Sequence, residues 1–161
     1  QFSKSASFFS MAIEAQRIAR NGEVFAIEKN EADILLCFEQ LEALRWIDYA
    51  KKNASIIINT QKIDPMPVIT GKAKYPEGIL EKIKADYPNV ISVPALETAE
   101  KCGNIKAVNV VMIGVLARNT DISADTWIKA IERNVKPQFA EVNRRAFNAG
   151  YAYAADVNEP V

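Results

Sequence analysis

Glu39 and Glu42 stand directly behind the apolar run "ADILLCF", three residues apart in "CFEQLEALRWID". The carboxyl end of a strand is where open α/β sheets keep their chemistry, and two acids held there suit general acid–base work if another titrating group shares the proton. No such group is in view. The chain has no histidine, which removes the usual general base, each Ser-His or Cys-His nucleophile pair and the commonest metal ligand. The same acids fit the first turn of a helix, where a carboxylate meets the positive end of the dipole, and Glu42 reaches Arg45 at i+3. Helix initiation therefore outweighs catalysis, and no residue is assigned a catalytic or metal-binding role. A cleft-lining or subunit-contact role is kept for Glu39 and Gln40. Asn59, Thr60 and Gln61 end the next apolar run and face the same crevice, with capping of the turn as their first reading.

These residues need a sheet to position them. "ADILLCF" and "ASIIIN" are continuous apolar runs with polar borders, the pattern of strands covered on both faces. Between them, "EQLEALRWIDYAKK" repeats Leu41, Leu44 and Ile47 at helical spacing, so the unit is strand, helix, strand with a right-handed crossover. The segment "TQKIDPMPVITGKAKY", Thr60 to Tyr75, holds two prolines and a glycine and is read as a long loop without a regular helix, of the kind that often binds something. "YPEGILEKIKADYP" predicts a helix with Pro76 in its first turn and Ile79, Leu80 and Ile83 inward. "NVISVP" is a further strand, Pro94 opens the helix "ALETAEKC", and Gly103 ends it.

The run "AVNVVMIGVLARN" is strand-like in composition. Its length, and Val108, Val111, Met112, Val115 and Leu116 in helical series, predict a central buried helix. Ser123 is an N-cap, with Ile122 and Trp127 spaced as a hydrophobic staple. The last helix starts near Pro137, turns Phe139, Val142 and Ala146 inward, and stops at Gly150. Near the start, a helix is expected from Ser3 to Gln16 and a β-hairpin around Asn21-Gly22. The sum is one α/β domain over residues 1–161, a three-layer α/β/α sandwich with a largely parallel sheet plus a β-hairpin.

Twenty basic residues balance twenty acidic ones, so no charge excess points to nucleic acid or an anionic membrane. "AVNVVMIGVLA" is much shorter than the roughly 20 residues that span a bilayer, and a cytoplasmic location is expected. Cys37 and Cys102 lie far apart among apolar or small neighbours and read as two buried thiols; the sequon at Asn53 matters only in a secreted chain. GxGxxG, GxxxxGK(S/T) and CxxC are all absent.

Four blocks in fixed order carry a resemblance: "FEQLEALR" after a strand, "NTQKIDPMPVITGKAKYP", "NIKAVNVVMIGVLA" and "EVNRRAFNAG". From about Gly22 to Tyr153 the chain resembles the beta subunit of indolepyruvate:ferredoxin oxidoreductase, equivalent to the gamma subunit of the pyruvate and 2-oxoacid enzymes. The resemblance implies a gamma-domain-like fold. It also implies an enzyme that oxidatively decarboxylates aryl 2-oxoacids to acyl-CoA and passes electrons to ferredoxin. The implied thiamine diphosphate, magnesium and [4Fe-4S] clusters belong to the large partner subunit, so this chain binds no cofactor and is not catalytic alone. Lys72 and Lys74 could then meet a phosphate such as that of coenzyme A, although solvated loop lysines are commoner; Arg144 and Arg145 read first as an exposed helix face. An apolar patch for the partner is expected near Thr60–Tyr75 and the last helix.

The beginning departs from the family, which opens with a strand and a GxGGQG turn and later carries an "SQRGG"-like loop; neither is present. Residues are therefore expected to be missing before Gln1 and again near Gln16–Arg17. A stand-alone α/β module binding a small ligand or nucleotide is the competing function.

Overall fold

The computed structural model describes residues 27–158. The expected helix Ser3–Gln16, the hairpin at Asn21-Gly22 and the break at Gln16–Arg17 lie outside them. Three parallel strands, β1 (Ala32–Cys37), β2 (Ala50–Asn59) and β3 (Val90–Val93), form one sheet in the order β1-β2-β3. Leu36 pairs with Ile57, and Ile57 with Ile91, so the three apolar runs are neighbours as expected. β2 starts at Ala50, earlier than its apolar run, and the register slips between Ala32 and Ile34 to absorb the extra residues.

Alternation along β2 divides the core. Ile56 and Ile58, with Cys37, pack against Ala43 of α1 (Gln40–Trp46) and against Ile79 and Ile83 of α3 (Ile79–Asp86). Ile57, Ile91 and Val93 face α4 (Ala95–Lys101), α5 (Val108–Arg118) and α7 (Ala140–Asn158) through Ala99, Val111, Met112, Val115 and Ala146. Helices thus cover both faces of a parallel sheet, the three-layer arrangement expected. α6 (Ala124–Asn134) packs on α7, where Arg144 pairs with Glu132.

Several local expectations are corrected. β1 is not covered throughout: Ile34, Leu35 and Leu36 are half-buried, because β1 is an edge among the described strands. In α1 the buried positions are Gln40 and Ala43, the face turned towards the sheet, which leaves Leu44 exposed before the helix ends at Trp46 and leaves through a 3₁₀ turn, Ile47–Tyr49. Pro76 precedes α3, which starts after Gly78 in a left-handed conformation (φ 67°) that glycine adopts without strain. The long loop contains a one-turn helix, α2 (Met66–Ile69), started after Pro65 with Pro67 in its first turn, where a missing N–H costs nothing. Gly150 does not stop the last helix but lies buried inside α7; Phe139 sits exposed in a 3₁₀ turn ahead of it, and Ala146 and Phe147 carry the burial. Cys37 is buried, but Cys102 only partly.

The central helix and its neighbours follow expectation. Val111, Met112 and Val115 are fully buried in α5. Gly103 follows α4 at φ 95°, and the Ser123 hydroxyl accepts the Thr126 N–H at 3.4 Å to cap α6.

Candidate functional site

β1 and β2 end side by side, and the residues that follow them tie the two ends together. Asn59 closes β2 at 1% exposure, with Nδ2 donating to Phe38 O at 3.0 Å and Oδ1 accepting from Gln61 N at 3.4 Å. Gln40 opens α1 and donates from Nε2 to Thr60 O at 2.6 Å and from its backbone N–H to Gln61 O at 3.2 Å. Glu39 is the N-cap of α1: its Oε1 accepts the Glu42 N–H at 2.6 Å, while Glu42 Oε2 accepts the Phe38 N–H at 3.2 Å. This is a reciprocal cap shifted by one residue, with each carboxylate occupying an amide that the helix itself leaves unpaired. The second oxygen of Glu39 accepts the Tyr75 hydroxyl at 2.8 Å, from the far end of the long loop.

All five residues expected at the cleft, Glu39, Gln40, Asn59, Thr60 and Gln61, are therefore brought together, and the first three are buried. Tyr75 is the member that sequence reading left out. It stands 36 residues from Glu39, so no local pattern marked it. Burial pushes the Tyr75 hydroxyl above its ordinary value, helped by its bond to Glu39. Burial likewise raises the Cys37 thiol, with the Glu42 and Glu39 charges adding to the effect, so at neutral pH Cys37 is a protonated core residue. Burial also raises Glu42, against the Phe38 N–H. The carboxylates cap α1 and clamp the loop; the contacts are those of a positioning network at the strand ends.

The other singled-out residues lie elsewhere. Lys72 and Lys74 are exposed on the loop, and Lys62 Nζ lies 5.8 Å from the Tyr75 ring centroid. Arg144 and Arg145 are exposed on α7, with Arg144 held by Glu132. Among the described residues, no group of three or more His, Cys, Asp or Glu is placed to hold a metal ion, and no helix is long and apolar enough to cross a membrane.

A parallel sheet between two helical layers, with its strand ends knotted by side chains, defines an α/β domain with a buried polar network at the carboxyl edge of the sheet. The family model for pyruvate ferredoxin/flavodoxin oxidoreductase matches residues 11–153. An indolepyruvate oxidoreductase subunit IorB of Archaeoglobus fulgidus is 37% identical over 141 residues, 84% of this chain and 70% of that protein. Its namesake in Pyrococcus horikoshii is 33% identical over 138 residues, 81% of this chain and 67% of that protein. Among solved structures, the keto/oxoacid ferredoxin oxidoreductase gamma subunit of Geobacter sulfurreducens superposes with a TM-score of 0.58 at 20% identity, over 78% of this chain and 65% of that one. The 2-oxoglutarate:ferredoxin oxidoreductase of Magnetococcus marinus gives 0.56 at 19% identity, over 82% of this chain but only 21% of that one. The two structures share the fold, and this chain spans just under two thirds of the first.

The chain belongs to the pyruvate ferredoxin/flavodoxin oxidoreductase family, as a subunit of an oxidoreductase. The resemblance read from its four blocks is borne out by these relatives, and the gamma-type fold by the superpositions.

Proposed function

We propose that this chain is the subunit without cofactors of a cytoplasmic 2-oxoacid:ferredoxin oxidoreductase that converts indolepyruvate or a related aryl 2-oxoacid, with coenzyme A, to the acyl-CoA. One observation carries the reading: relatives named as indolepyruvate oxidoreductase subunits match most of the chain at 37% and 33% identity. Decarboxylating a 2-oxoacid needs an electron sink and onward one-electron transfer needs a redox centre; bound thiamine diphosphate, magnesium and [4Fe-4S] clusters on the large partner subunit supply both. The cysteines of this chain do not fit such a cluster. A four-iron cluster takes about four thiolates, whereas the chain has two cysteines, one of them fully buried. Its contribution is to complete the assembly that receives coenzyme A and ferredoxin, with Glu39, Gln40, Asn59, Thr60 and Gln61 lining a contact crevice. A stand-alone small-ligand module is not favoured, since the named relatives are oxidoreductase subunits.

The test is indolepyruvate-dependent reduction of a low-potential dye, with coenzyme A and thiamine diphosphate, using the full-length chain, the large subunit and their mixture. Activity is expected in the mixture and not in this chain by itself. Turnover by this chain alone at the rate of the mixture overturns the assignment.

A further inference from the structure

The long loop between β2 and α3 is held at both stems by one dipeptide. Gln40 takes the first stem at Thr60 and Gln61, and Glu39 takes the second at Tyr75. Between the stems, the tip is folded on itself. The Val68 and Ile69 N–H groups donate to Pro65 O, the Thr70 N–H and hydroxyl to Met66 O, and the Lys72 and Ala73 N–H groups to Pro67 O.

Ordering such a segment costs about 1–2 kcal/mol of backbone entropy per residue, a cost that loops usually offset by burying their apolar side chains. This loop leaves three of them out. Ile63, Met66 and Ile69 are 51%, 67% and 66% exposed, and Met66 and Ile69, three apart on the helical turn, share a face. Around them Lys62, Lys72 and Lys74 are exposed with one acid, Asp64, so the patch is basic although the whole chain balances twenty cations against twenty anions.

We infer that the loop Thr60–Tyr75 is a preformed docking surface for the thiamine diphosphate-carrying subunit, which meets it with an apolar depression rimmed by carboxylates. The inference rests on the subunit reading above and adds where the contact lies. Charge selects the occupant. Two copies of this chain meeting through the same patch across a two-fold axis would set basic rim against basic rim, whereas an acidic rim on a different chain complements it. Glu39, Gln40 and Tyr75 are then positioning residues, which keep the surface in its bound shape before the partner arrives and so reduce the entropy lost on binding.

The experiment measures assembly of the full-length chain with the large subunit by titration, alongside sedimentation of the chain alone. Met66→Asp combined with Ile69→Asp should weaken assembly about a hundredfold, as expected when central apolar anchors are replaced by charges. Lys72→Glu combined with Lys74→Glu should weaken it about tenfold at low salt, with the loss shrinking at high salt. Both double variants should keep the thermal midpoint of the lone chain, since all four side chains are exposed. Wild-type affinity in the Met66/Ile69 variant overturns the docking surface and leaves the subunit reading standing. A lone-chain dimer dissolved by the same substitutions overturns it in favour of a second copy. Failure of the wild-type chain to bind the large subunit at all overturns the subunit reading, and the docking surface with it.

Discussion

Gly114 of α5 and Gly150 of α7 mark where these two helices meet backbone to backbone. A methyl group on Gly114 would overlap the Phe147 carbonyl oxygen and lie 2.9 Å from Tyr151 N, and one on Gly150 would overlap the Val111 carbonyl oxygen. Neither obstacle is a side chain that can swing aside. Alanine would gain about 1 kcal/mol of helix propensity, but it must force apart two helices that bury Val111, Met112 and Phe147, an overpacking that costs about 1–3 kcal/mol or more. Gly150→Ala is expected to lower unfolding free energy by about 2 kcal/mol net in a urea titration. A variant as stable as the wild type would show that the helices part without cost.

Asn59 links the two strand ends through both ends of its carboxamide. Asn59→Leu fills the space but leaves the Phe38 carbonyl and the Gln61 N–H without that partner, in a place where Asn59 itself is 1% exposed. Each orphaned group costs about 1–3 kcal/mol, so a loss of about 3 kcal/mol is expected by chemical denaturation. Faster amide exchange should appear first in residues 60–75. Unchanged stability would mean that water replaces both contacts.

Glu42 gives an inverted pH dependence. Burial raises its carboxyl above the ordinary carboxylate range, the Phe38 N–H opposes this, and the Glu39 charge adds to the rise. The folded protein therefore prefers the protonated form. The associated stability is complete below the unfolded value and is lost as pH climbs through the raised folded value. Glu42→Gln imitates the protonated acid and keeps an oxygen for the Phe38 N–H. The variant should match the wild type below about pH 4 and exceed it near pH 7, read as the difference between denaturation midpoints. A wild type that is the more stable at neutral pH would show that attraction to the α1 N-terminus outweighs burial.

The sequence by itself determined whatever depends on local pattern. The apolar runs in Ala32–Cys37 and Ala54–Asn59 mean strands, the Val108–Leu116 series means a buried helix, and Ser123 caps α6 because its hydroxyl needs only the amide three residues on. That Glu39, Gln40, Asn59, Thr60 and Gln61 meet was legible too, since residues after neighbouring parallel strands must gather at one edge. The tertiary structure decided what depends on partners distant in sequence. Gly150 has the local mark of a helix stop, yet α7 runs through it because α5 presses its backbone there and no side chain would fit. Leu44 fits a helical stripe but stays exposed, because α1 turns Gln40 and Ala43 towards the sheet. Tyr75, 36 residues from Glu39, became part of the site only when the chain between them folded back, and no spacing rule reaches across that distance.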